Sequence, residues 1–551
     1  MTRSLPDITR PRTPLLATVA ATLLALPGTV SAQITSTGSV APLVNLPFTN
    51  NFVDDDLIID AAGNVGAVKI ENSRTLDIGA NLSATSKTLI VGEGTGGTGT
   101  LDILTGSTVL SRGATVIGDV VGDTGTINVN GSGSALTTTG FFSVGSGGGA
   151  ELNIGDNPNT GGVETGGVVN SILGGVGAQA GDPATVNVSG TGAQWSFQGI
   201  DAVSGSGAML QLGSRGTGTV NVNNGATINI DSQGPPPGAQ GGILVGGFNG
   251  NPLANGTLNI DGTGSSVTSA TGYNQIGRSG TGTVNVTNGA TFDTSGVVTN
   301  AVGRKVGATG TVNVTGTGST WNAGNNIFLG TDVDLATSTV TGVGGTGTLN
   351  VANGGAVFAQ DIILGASGRI TGGGGTITGN IQNNGTLAAG NSPGLMTVVG
   401  NLDHNAGATI EVEIGGTVFN TGIPQFDYDR IDVSDDPATT GTTEGVFTID
   451  PAAIFSVGFI NGFSAADGDS FDIIIADTIS GLITESNFIL PTLTAGLEWD
   501  GGIFDVGGRS AIRLFVTSSS AAVSEPGALL ILIGGIAILG LVRRRRATTI
   551  H

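Results

Sequence analysis

A short alternating pattern, Gly-Thr-apolar-Asn-apolar, recurs along the middle of the chain. Apolar residues alternate with polar ones in each copy, usually Thr and Asn but with Asp102 in the first copy and Glu151 in the third, as in a β-strand with one buried face. The strand portions of its nine copies begin at Thr100, Thr126, Glu151, Thr185, Thr219, Thr257, Thr283, Thr311 and Thr348. The pattern therefore predicts a series of strands whose apolar side chains point inward and whose Thr and Asn side chains face solvent.

Glycine-containing turn signals separate these strands. Some copies continue into Gly-x-Gly, others into a Gly turn and a short strand, and an apolar-Gly signature lies between copies. The glycines that open Gly-x-Gly are Gly131, Gly190, Gly262 and Gly316, the turn positions are Thr105, Asn224, Asn288 and Asn353, and the apolar-Gly signature ends at Gly92, Gly118, Gly246, Gly330 and Gly365. Gly and Asn adopt positive φ at low cost. The sequence therefore predicts tight corners between short strands.

The spacing of the copies indicates a solenoid. Their first apolar residues are 25 to 38 residues apart, and no segment from 88 to 365 has helical periodicity. Repeats of this length are typical of stacked coils. We predict an all-β, right-handed parallel β-helix over 33–400, with clear repeats over 88–366. At about 25 residues per coil, residues 40–390 would form roughly fourteen coils and a rod of about 65 Å.

The two ends of the chain read as targeting segments. Residues 1–32 combine early arginines, an apolar stretch and small residues, as in a secretory signal peptide, with cleavage expected between Ala32 and Gln33. Near the other end, Ser524, Glu525 and Pro526 precede a 16-residue apolar run at 527–542. Four arginines follow the run: Arg543, Arg544, Arg545 and Arg546. This predicts a single C-terminal transmembrane helix with its arginines in the cytoplasm.

Composition excludes several classes of protein. The chain has 99 glycines in 551 residues and 38% hydrophobic residues, which is too apolar for a disordered chain. It has no cysteine, so disulfides and thiol chemistry are excluded. The net charge is −22, and the two targeting segments hold seven of the 19 basic residues. Such a surface repels phosphate backbones, so we expect no nucleic-acid partner.

The C-terminal segment resembles the PEP-CTERM sorting signal of Gram-negative bacteria. The resemblance rests on the short acidic-proline motif, the apolar span and the arginine cluster over 524–546, although family members usually read Pro-Glu-Pro where this chain has Ser-Glu-Pro. It implies recognition and removal of the tail by an exosortase, a membrane enzyme. Proteins processed in this way are often surface proteins associated with exopolysaccharide.

The body resembles the repeat shared by type V autotransporter passengers and PEP-CTERM proteins. The similar unit covers about 88–366. The segment 385–394, which reads GTLAAGNSPG, and the later segments 409–414 and 428–433 resemble the end of such passengers. The resemblance implies that residues 401–520 form a β-rich C-terminal cap.

Few residues in the repeats could carry out catalysis. Between 88 and 400 the only lysine is Lys305, which follows Arg304 and lies one repeat after Arg278. We interpret this group as a solvated corner, because no carboxylate recurs at matching repeat positions. The chain has only two histidines, His404 and the terminal His551, which removes histidine dyads and most zinc sites. We therefore predict no catalytic, cofactor-binding or metal-binding residues.

Two acidic clusters and two tryptophans are candidate binding features. The clusters are Asp54–Asp56 and the group Asp427, Asp429, Asp432, Asp435 and Asp436. Neither fits a known calcium loop, so structural or surface roles are favoured over a metal site. Trp195 and Trp321 could stack on sugars, but Leu136 and Val267 occupy the equivalent place in sister repeats. That variation is typical of core positions.

These observations favour an exported, non-catalytic surface or extracellular-matrix protein of adhesin or scaffold type. Its partners would be an exosortase, the membrane before processing, and exopolysaccharide or other surface components. The alternative is a β-helical polysaccharide lyase or hydrolase, which requires a localised cleft of carboxylates and basic residues. A purely structural coat component also remains open.

Overall fold

The computed structural model describes residues 34–41, 50–53, 57–61, 65–70, 74–78, 87–155, 165–201, 205–231, 241–248, 250–390, 393–420, 425–435 and 445–519. The predicted signal peptide with its Ala32–Gln33 cleavage site and the sorting signal, from Ser524 to Arg546, lie outside these ranges, as do Asp54–Asp56. The described part is an all-β solenoid, which confirms the predicted fold class at this level. Each coil adds one strand to each of three faces.

The first face contains the Gly-Thr-apolar-Asn-apolar strands. It is a 17-stranded sheet in which neighbouring strands run parallel, except that 34–38 and 425–428 pair antiparallel to their neighbours. Its strands are Ile34–Gly38, Val65–Ile70, Thr98–Leu104, Thr124–Asn130, Gly149–Gly155, Ala184–Ser189, Thr217–Asn223, Asn255–Asp261, Thr281–Thr287, Thr309–Thr315, Thr346–Ala352, Gly368–Thr371, Thr386–Ala388, Thr409–Asn420, Gln425–Tyr428, Ile454–Phe459 and Phe488–Ile489.

The second face follows the first after a corner. Its strands are Asn50–Val53, Thr75–Ile78, Thr108–Ser111, Ala135–Thr138, Val168–Ser171, Gln194–Gln198, Thr227–Asp231, Ser266–Ser269, Thr291–Asp293, Thr320–Asn322, Leu395–Val399, Arg430–Ser434 and Ser470–Ala476. Two long strands, Ala356–Leu364 and Gly375–Asn383, continue from the second face onto the third. The positions that the sequence predicts as core lie on this face: Leu136, Trp195, Val267 and Trp321.

The third face carries the apolar-Gly signature and completes each coil. Its strands are Val40–Ala41, Leu57–Ala61, Leu89–Glu93, Thr115–Ile117, Phe141–Val144, Leu173–Val176, Met209–Leu212, Gly242–Val245, Tyr273–Ile276, Thr299–Val302, Asn326–Leu329, Leu402–His404, Val446–Ile449 and Thr478–Ser480. Most pair in parallel and in register, so that Val245 faces Ile276 and Ile276 faces Val302 in successive coils.

The core is one continuous stack of inward-facing apolar side chains. On the first face Leu258, Val284 and Val312 are in register in successive coils, and each is fully buried. Trp195 and Trp321 are fully buried in the same way, in register with aliphatic or aromatic neighbours such as Ile228. This confirms their prediction as core residues rather than sugar-stacking platforms.

The glycines of the two repeat motifs meet at one corner of each coil. Gly277, at the end of an apolar-Gly signature, has φ of +68°. A Cβ added to Gly282, in the following Gly-Thr strand, would clash with the backbone nitrogen of Gly277 and the carbonyl oxygen of Val245. The same approach recurs between Gly310 and Gly303 in the next coil. Each of the two motifs therefore needs its glycine, because the backbone of the other motif lies too close to leave room for a Cβ. At the other corners, the predicted positive φ is confirmed at Asn224 and Asn288.

The parallel stack continues beyond residue 400. The strands at 409–420 and 454–459 extend the first face, and 430–434 and 470–476 extend the second. A closing hairpin, Leu497–Val506 with Arg509–Ser518, then pairs antiparallel to 470–476. The only helical segment in the described part of the chain is the 3₁₀ turn Glu485–Asn487. None of the described residues forms a helix long and apolar enough to cross a membrane.

Candidate functional site

An asparagine ladder runs along the outside of the first face. The side-chain amide of each Asn donates to the amide oxygen of the Asn in the preceding coil, at 2.8 Å from Asn259 to Asn221 and from Asn285 to Asn259. The ladder comprises Asn350, Asn313, Asn285, Asn259, Asn221, Asn187, Asn153 and Asn128, and it ends where Asn128 donates to Asp102 at 2.7 Å. The Asn side chains lie on the side of the strands away from the core, as predicted, but Asn128 and Asn153 are buried rather than exposed to solvent. The hydrogen-bonding capacity of the Asn side chains is partly used within the ladder.

An antiparallel hairpin interrupts the third face. Its strands, Thr331–Asp334 and Thr339–Val343, form a separate two-stranded sheet. The hairpin folds back over the outside of the neighbouring coil: the Thr299 hydroxyl donates to the Leu335 carbonyl at 2.8 Å, and the Ser338 hydroxyl donates to the Val298 carbonyl at 3.1 Å. Val333 packs beneath it against Ala301 and Phe328, in a small apolar cluster separate from the main core.

A cleft of about 420 Å³ opens beside this hairpin. Its lining residues are Tyr273, Arg278, Arg304, Lys305, Asp332, Val333, Asp334, Leu335, Ala336 and Thr341. The strand ending at Ile276 presents Tyr273, two successive corners present the three cations, and the hairpin presents the two carboxylates. In the cleft the structure thus brings opposite charges from neighbouring coils together.

Arg304 is fixed in the wall of the cleft. Its guanidinium donates to the Val333 carbonyl at 2.9 and 3.1 Å and to the Gln275 amide oxygen at 2.9 Å. It also lies 3.4 Å from a carboxylate oxygen of Asp332, and only 13% of its side chain is exposed. Lys305 donates to the other oxygen of Asp332 at 2.7 Å. The prediction of a solvated corner was wrong for Arg304, which the hairpin covers, whereas the side chain of Lys305 is 44% exposed. The hairpin also supplies carboxylates that the repeat positions lack.

Arg278 lies one coil away and is held differently. Its guanidinium carbon is 5.1 Å from the centroid of the Phe248 ring, and Nη1 is buried without a hydrogen-bond partner. Burial lowers the pKa of Arg278, and the positive charge of Arg304 lowers it further. Burial also lowers the pKa of Arg304, while Asp332 and Asp334 act in the opposite direction. The two guanidiniums therefore repel each other, and only one of them has a carboxylate beside it.

The acidic group after residue 426 is largely taken up by structural contacts. Asp429 is 3% exposed and accepts from the backbone N–H of Gly394 at 2.7 Å and of Glu413 at 2.9 Å. Asp432 accepts from Arg509 at 2.7 Å. The predicted structural roles are confirmed for these two residues, whereas Asp436 lies outside the described ranges. Among the described residues, no three or more His, Asp or Glu side chains cluster closely enough to hold a metal ion.

His404 is buried in the core near the C-terminal end of the stack. Its Nδ1 lies 3.1 Å from the amide nitrogen of Asn383, and its Nε2 lies 3.1 Å from the carbonyl oxygen of Ile454. The geometry therefore fixes the neutral tautomer that is protonated on Nε2. Burial lowers the pKa of His404 to about 4. It is a core residue with both ring nitrogens bonded.

Comparison with known proteins gives two partial similarities, and no protein-family model matches the chain. An uncharacterized lipoprotein, YdeK, of Escherichia coli (strain K12) is 31% identical over 276 residues, which cover 49% of this chain and 18% of that protein. An uncharacterized protein, YuaQ, of the same strain is 32% identical over 171 residues, covering 29% of this chain and 11% of that protein. The chain thus spans less than a fifth of either relative.

Proposed function

We propose that the protein is an exported, non-catalytic component of the cell surface or extracellular matrix, of adhesin or scaffold type. In this proposal residues 1–32 direct export, and the mature chain begins at Gln33. The segment 524–546 anchors the protein through one transmembrane helix until an exosortase removes it. The coils wind right-handed, the hand strongly favoured for crossovers between parallel strands.

The observation that carries this proposal is the unbroken parallel stack. Strands of the first face pair in parallel from 65–70 to 488–489, and the antiparallel strand 425–428 is added beside 409–420 without interrupting the parallel pairing of 409–420 with 454–459. With about 4.8 Å between strands, such a stack forms a stiff rod. A rod presents the same polar outer face many times, and weak contacts made by repeated units add through avidity. A stiff rod with a repeated polar surface is suited to adhesion or to a scaffolding role.

The similarity to a lipoprotein supports the proposed location in the cell envelope. Lipoproteins are held at membranes of the cell envelope by a lipid anchor. The matched region covers 49% of this chain. The expected partners outside the cell are exopolysaccharide or other surface components, and no nucleic acid.

The mature ends of the protein test the proposal. Protein recovered from surface and medium fractions would be mapped by peptide mass spectrometry. We expect an N-terminus at Gln33, a C-terminus close to Ser524–Pro526, and no peptide containing Arg543–Arg546. An intact tail retained in the membrane would contradict processing and release.

The cleft gives a specific reason to keep the enzymatic alternative. A polysaccharide lyase or hydrolase needs carboxylates and basic groups in one place, and Arg278, Arg304, Asp332 and Asp334 all line this cleft. Incubating the purified protein with the host's exopolysaccharide separates the two proposals. Release of oligosaccharides that is lost in D332N and D334N variants would favour the enzyme, and a polymer of unchanged length would favour binding alone.

A further inference from the structure

The cleft beside the hairpin has an unbalanced positive charge. It contains three cations, Arg278, Arg304 and Lys305, and two carboxylates, Asp332 and Asp334. Both Arg304 and Lys305 are within salt-bridge distance of Asp332. No salt bridge in the described part of the chain involves Arg278. In a chain of net charge −22, this is a local site of opposite sign.

The arrangement of the two arginines is unfavourable without an anion. Arg278 and Arg304 follow the corner glycines Gly277 and Gly303, and the backbone N–H of Arg304 donates to the carbonyl of Gly277 at 2.9 Å. Their positions are therefore set by the stacking of coils. Burial and mutual repulsion both lower the pKa of Arg278. A negatively charged ligand in the cleft would relieve the repulsion between the two guanidiniums.

We propose that this cleft binds a carboxylate-bearing sugar unit of an acidic polysaccharide, with Arg278 as the residue that recognises the carboxylate. The inference deepens the proposed surface function, on which it rests. A planar guanidinium matches a carboxylate in a bidentate pair. With three cations and two carboxylates, the cleft has one positive charge in excess. One excess charge favours a monoanion, because Asp332 and Asp334 repel a dianion such as phosphate more strongly.

The remaining lining suits a sugar ring. Tyr273 contributes an aromatic ring with a hydroxyl group, Thr341 a hydroxyl group, and Asp334 a carboxylate on an exposed residue that can accept from sugar hydroxyls. A volume of about 420 Å³ lies within the range of small-ligand sites. The cleft is open at its surface, so a chain of sugars can enter with one unit seated beside Arg278.

Isothermal titration calorimetry with oligomers of galacturonic acid tests this inference. The variant is R278Q, and the matched control is R215Q, because Arg215 is exposed, lies at a corner of the same side, and does not line the cleft. We expect the full-length protein and R215Q to bind the acidic oligomer, with affinity falling as salt rises. R278Q should bind at least tenfold more weakly while keeping the same circular dichroism spectrum and melting temperature.

Methyl-esterified galacturonate oligomers and inorganic phosphate serve as competitors. The esters should bind at least tenfold more weakly than the acid, and phosphate at equal concentration should not displace it. Equal binding by R278Q and the parent, equal binding of ester and acid, displacement by phosphate, or no binding of the acid would each overturn the inference. Those results would leave the proposed surface function intact if the mature ends are as expected, since that function is tested by processing and not by this ligand.

Discussion

At the scale of single residues, two buried titratable groups near the C-terminal end have opposite pKa shifts. Burial lowers the pKa of His404 to about 4 and raises that of Asp429 to about 6. For Asp429, burial outweighs its two hydrogen bonds from backbone N–H groups, which favour the charged form. Both residues therefore prefer their neutral forms in the folded protein: His404 loses its proton more easily than usual, and Asp429 keeps its proton more easily than usual.

His404 and Asp429 should therefore have opposite effects on how the stability of the protein changes with pH. Between pH 6.5 and 4 the unfolded chain protonates His404 but the folded protein does not, so this residue lowers stability as pH falls. Between pH 6 and 4 the folded protein protonates Asp429 before the unfolded chain does, so this residue raises stability as pH falls. In the parent protein the two contributions oppose each other.

We expect the H404Q variant to become more stable relative to the parent as pH falls from 6.5 to 4. A shift of the His404 pKa from 6.5 to about 4 corresponds to a contribution of about 3 kcal/mol. Urea midpoints of parent and variant at pH 7, 5.5 and 4 measure the difference. The D429N variant serves as the opposite control, with its stability relative to the parent falling toward pH 4. Parallel pH profiles for all three proteins would contradict the assigned shifts.

Glycine positions give a second residue-scale prediction. A Cβ at Gly282 would clash with two backbone groups, whereas one at Gly458, also in a strand of the first face, would meet nothing within 4 Å. We expect G282A to lower the free energy of unfolding by about 2 kcal/mol or more, because the corner must open to admit the methyl group. G458A should be nearly neutral, as measured by denaturant titration. Equal effects would show that the contact between the two corner glycines is not what restricts residue 282.

Residue patterns predicted some of these roles and missed others. Variation between Trp, Leu and Val correctly marked the position of Trp195 and Trp321 as core. Both corner glycine motifs are visible in the sequence. The contact between them could not be predicted, because it depends on how the coil closes. For Asp429 the sequence predicted a structural or surface role, but not the partners that make the role structural. Its bonds to the backbone of Gly394 and Glu413 join two motifs whose order alone is visible in the sequence.

At the scale of elements, the asparagine ladder ties consecutive coils together. All its amides donate in the same direction, toward the N-terminal end, so their dipoles add. The last amide donates to the carboxylate of Asp102, which faces Lys69 in the next strand. An ionised carboxylate has hydrogen-bond acceptors but no donor, so it is suited to receive the last donor of the ladder.

We expect the centre of the ladder to matter more than its end. Asn259 donates to Asn221 and accepts from Asn285, both at 2.8 Å, whereas Asn350 makes a single ladder bond of 3.3 Å to Asn313. N259A should lower the free energy of unfolding by about 1–2 kcal/mol, and N350A by less than half of that. Chemical denaturation followed by circular dichroism measures both. A larger effect of N350A would argue against a cooperative ladder.

The cleft shows why one element could not be predicted. The repeat step that contains the hairpin is longer than the one before it, and that length was the available signal. Its residues match no repeat position, so the sequence could not tell that Asp332 would lie beside Arg304. Such contacts depend on where an inserted segment folds back, and only the three-dimensional structure shows this.

At the scale of the whole molecule, the two described ends of the stack differ from its middle. Near the N-terminus, strand 34–38 pairs antiparallel to 65–70. At the C-terminus, the strand 509–518 pairs antiparallel to 470–476 and contributes Ile512, Leu514 and Val516 as buried side chains. Antiparallel strands end a parallel stack because they do not continue its register. Terminal units of this kind keep solenoids soluble by covering the open core.

The closing hairpin should therefore be required for a monomeric protein. Trp499 lies 5.9 Å from Phe459 and 6.1 Å from Phe471, measured between ring centroids, and it covers the last aromatic side chains of the core. A chain ending at residue 495 would expose those rings and the unpaired edge of strand 470–476. We expect it to form dimers or larger aggregates in size-exclusion chromatography with light scattering, because exposed edges and apolar ends associate.

A chain ending at residue 519 retains the hairpin and serves as the control, with a monomer expected at the same concentration. The W499A variant of that control separates the two causes: it keeps the paired edge and removes only the aromatic cover. If exposure of the apolar end dominates, W499A should associate nearly as strongly as the truncated chain; if the open edge dominates, W499A should remain monomeric. A monomeric truncated chain would show that the stack is closed without the hairpin, and that its last coils already satisfy their own edges.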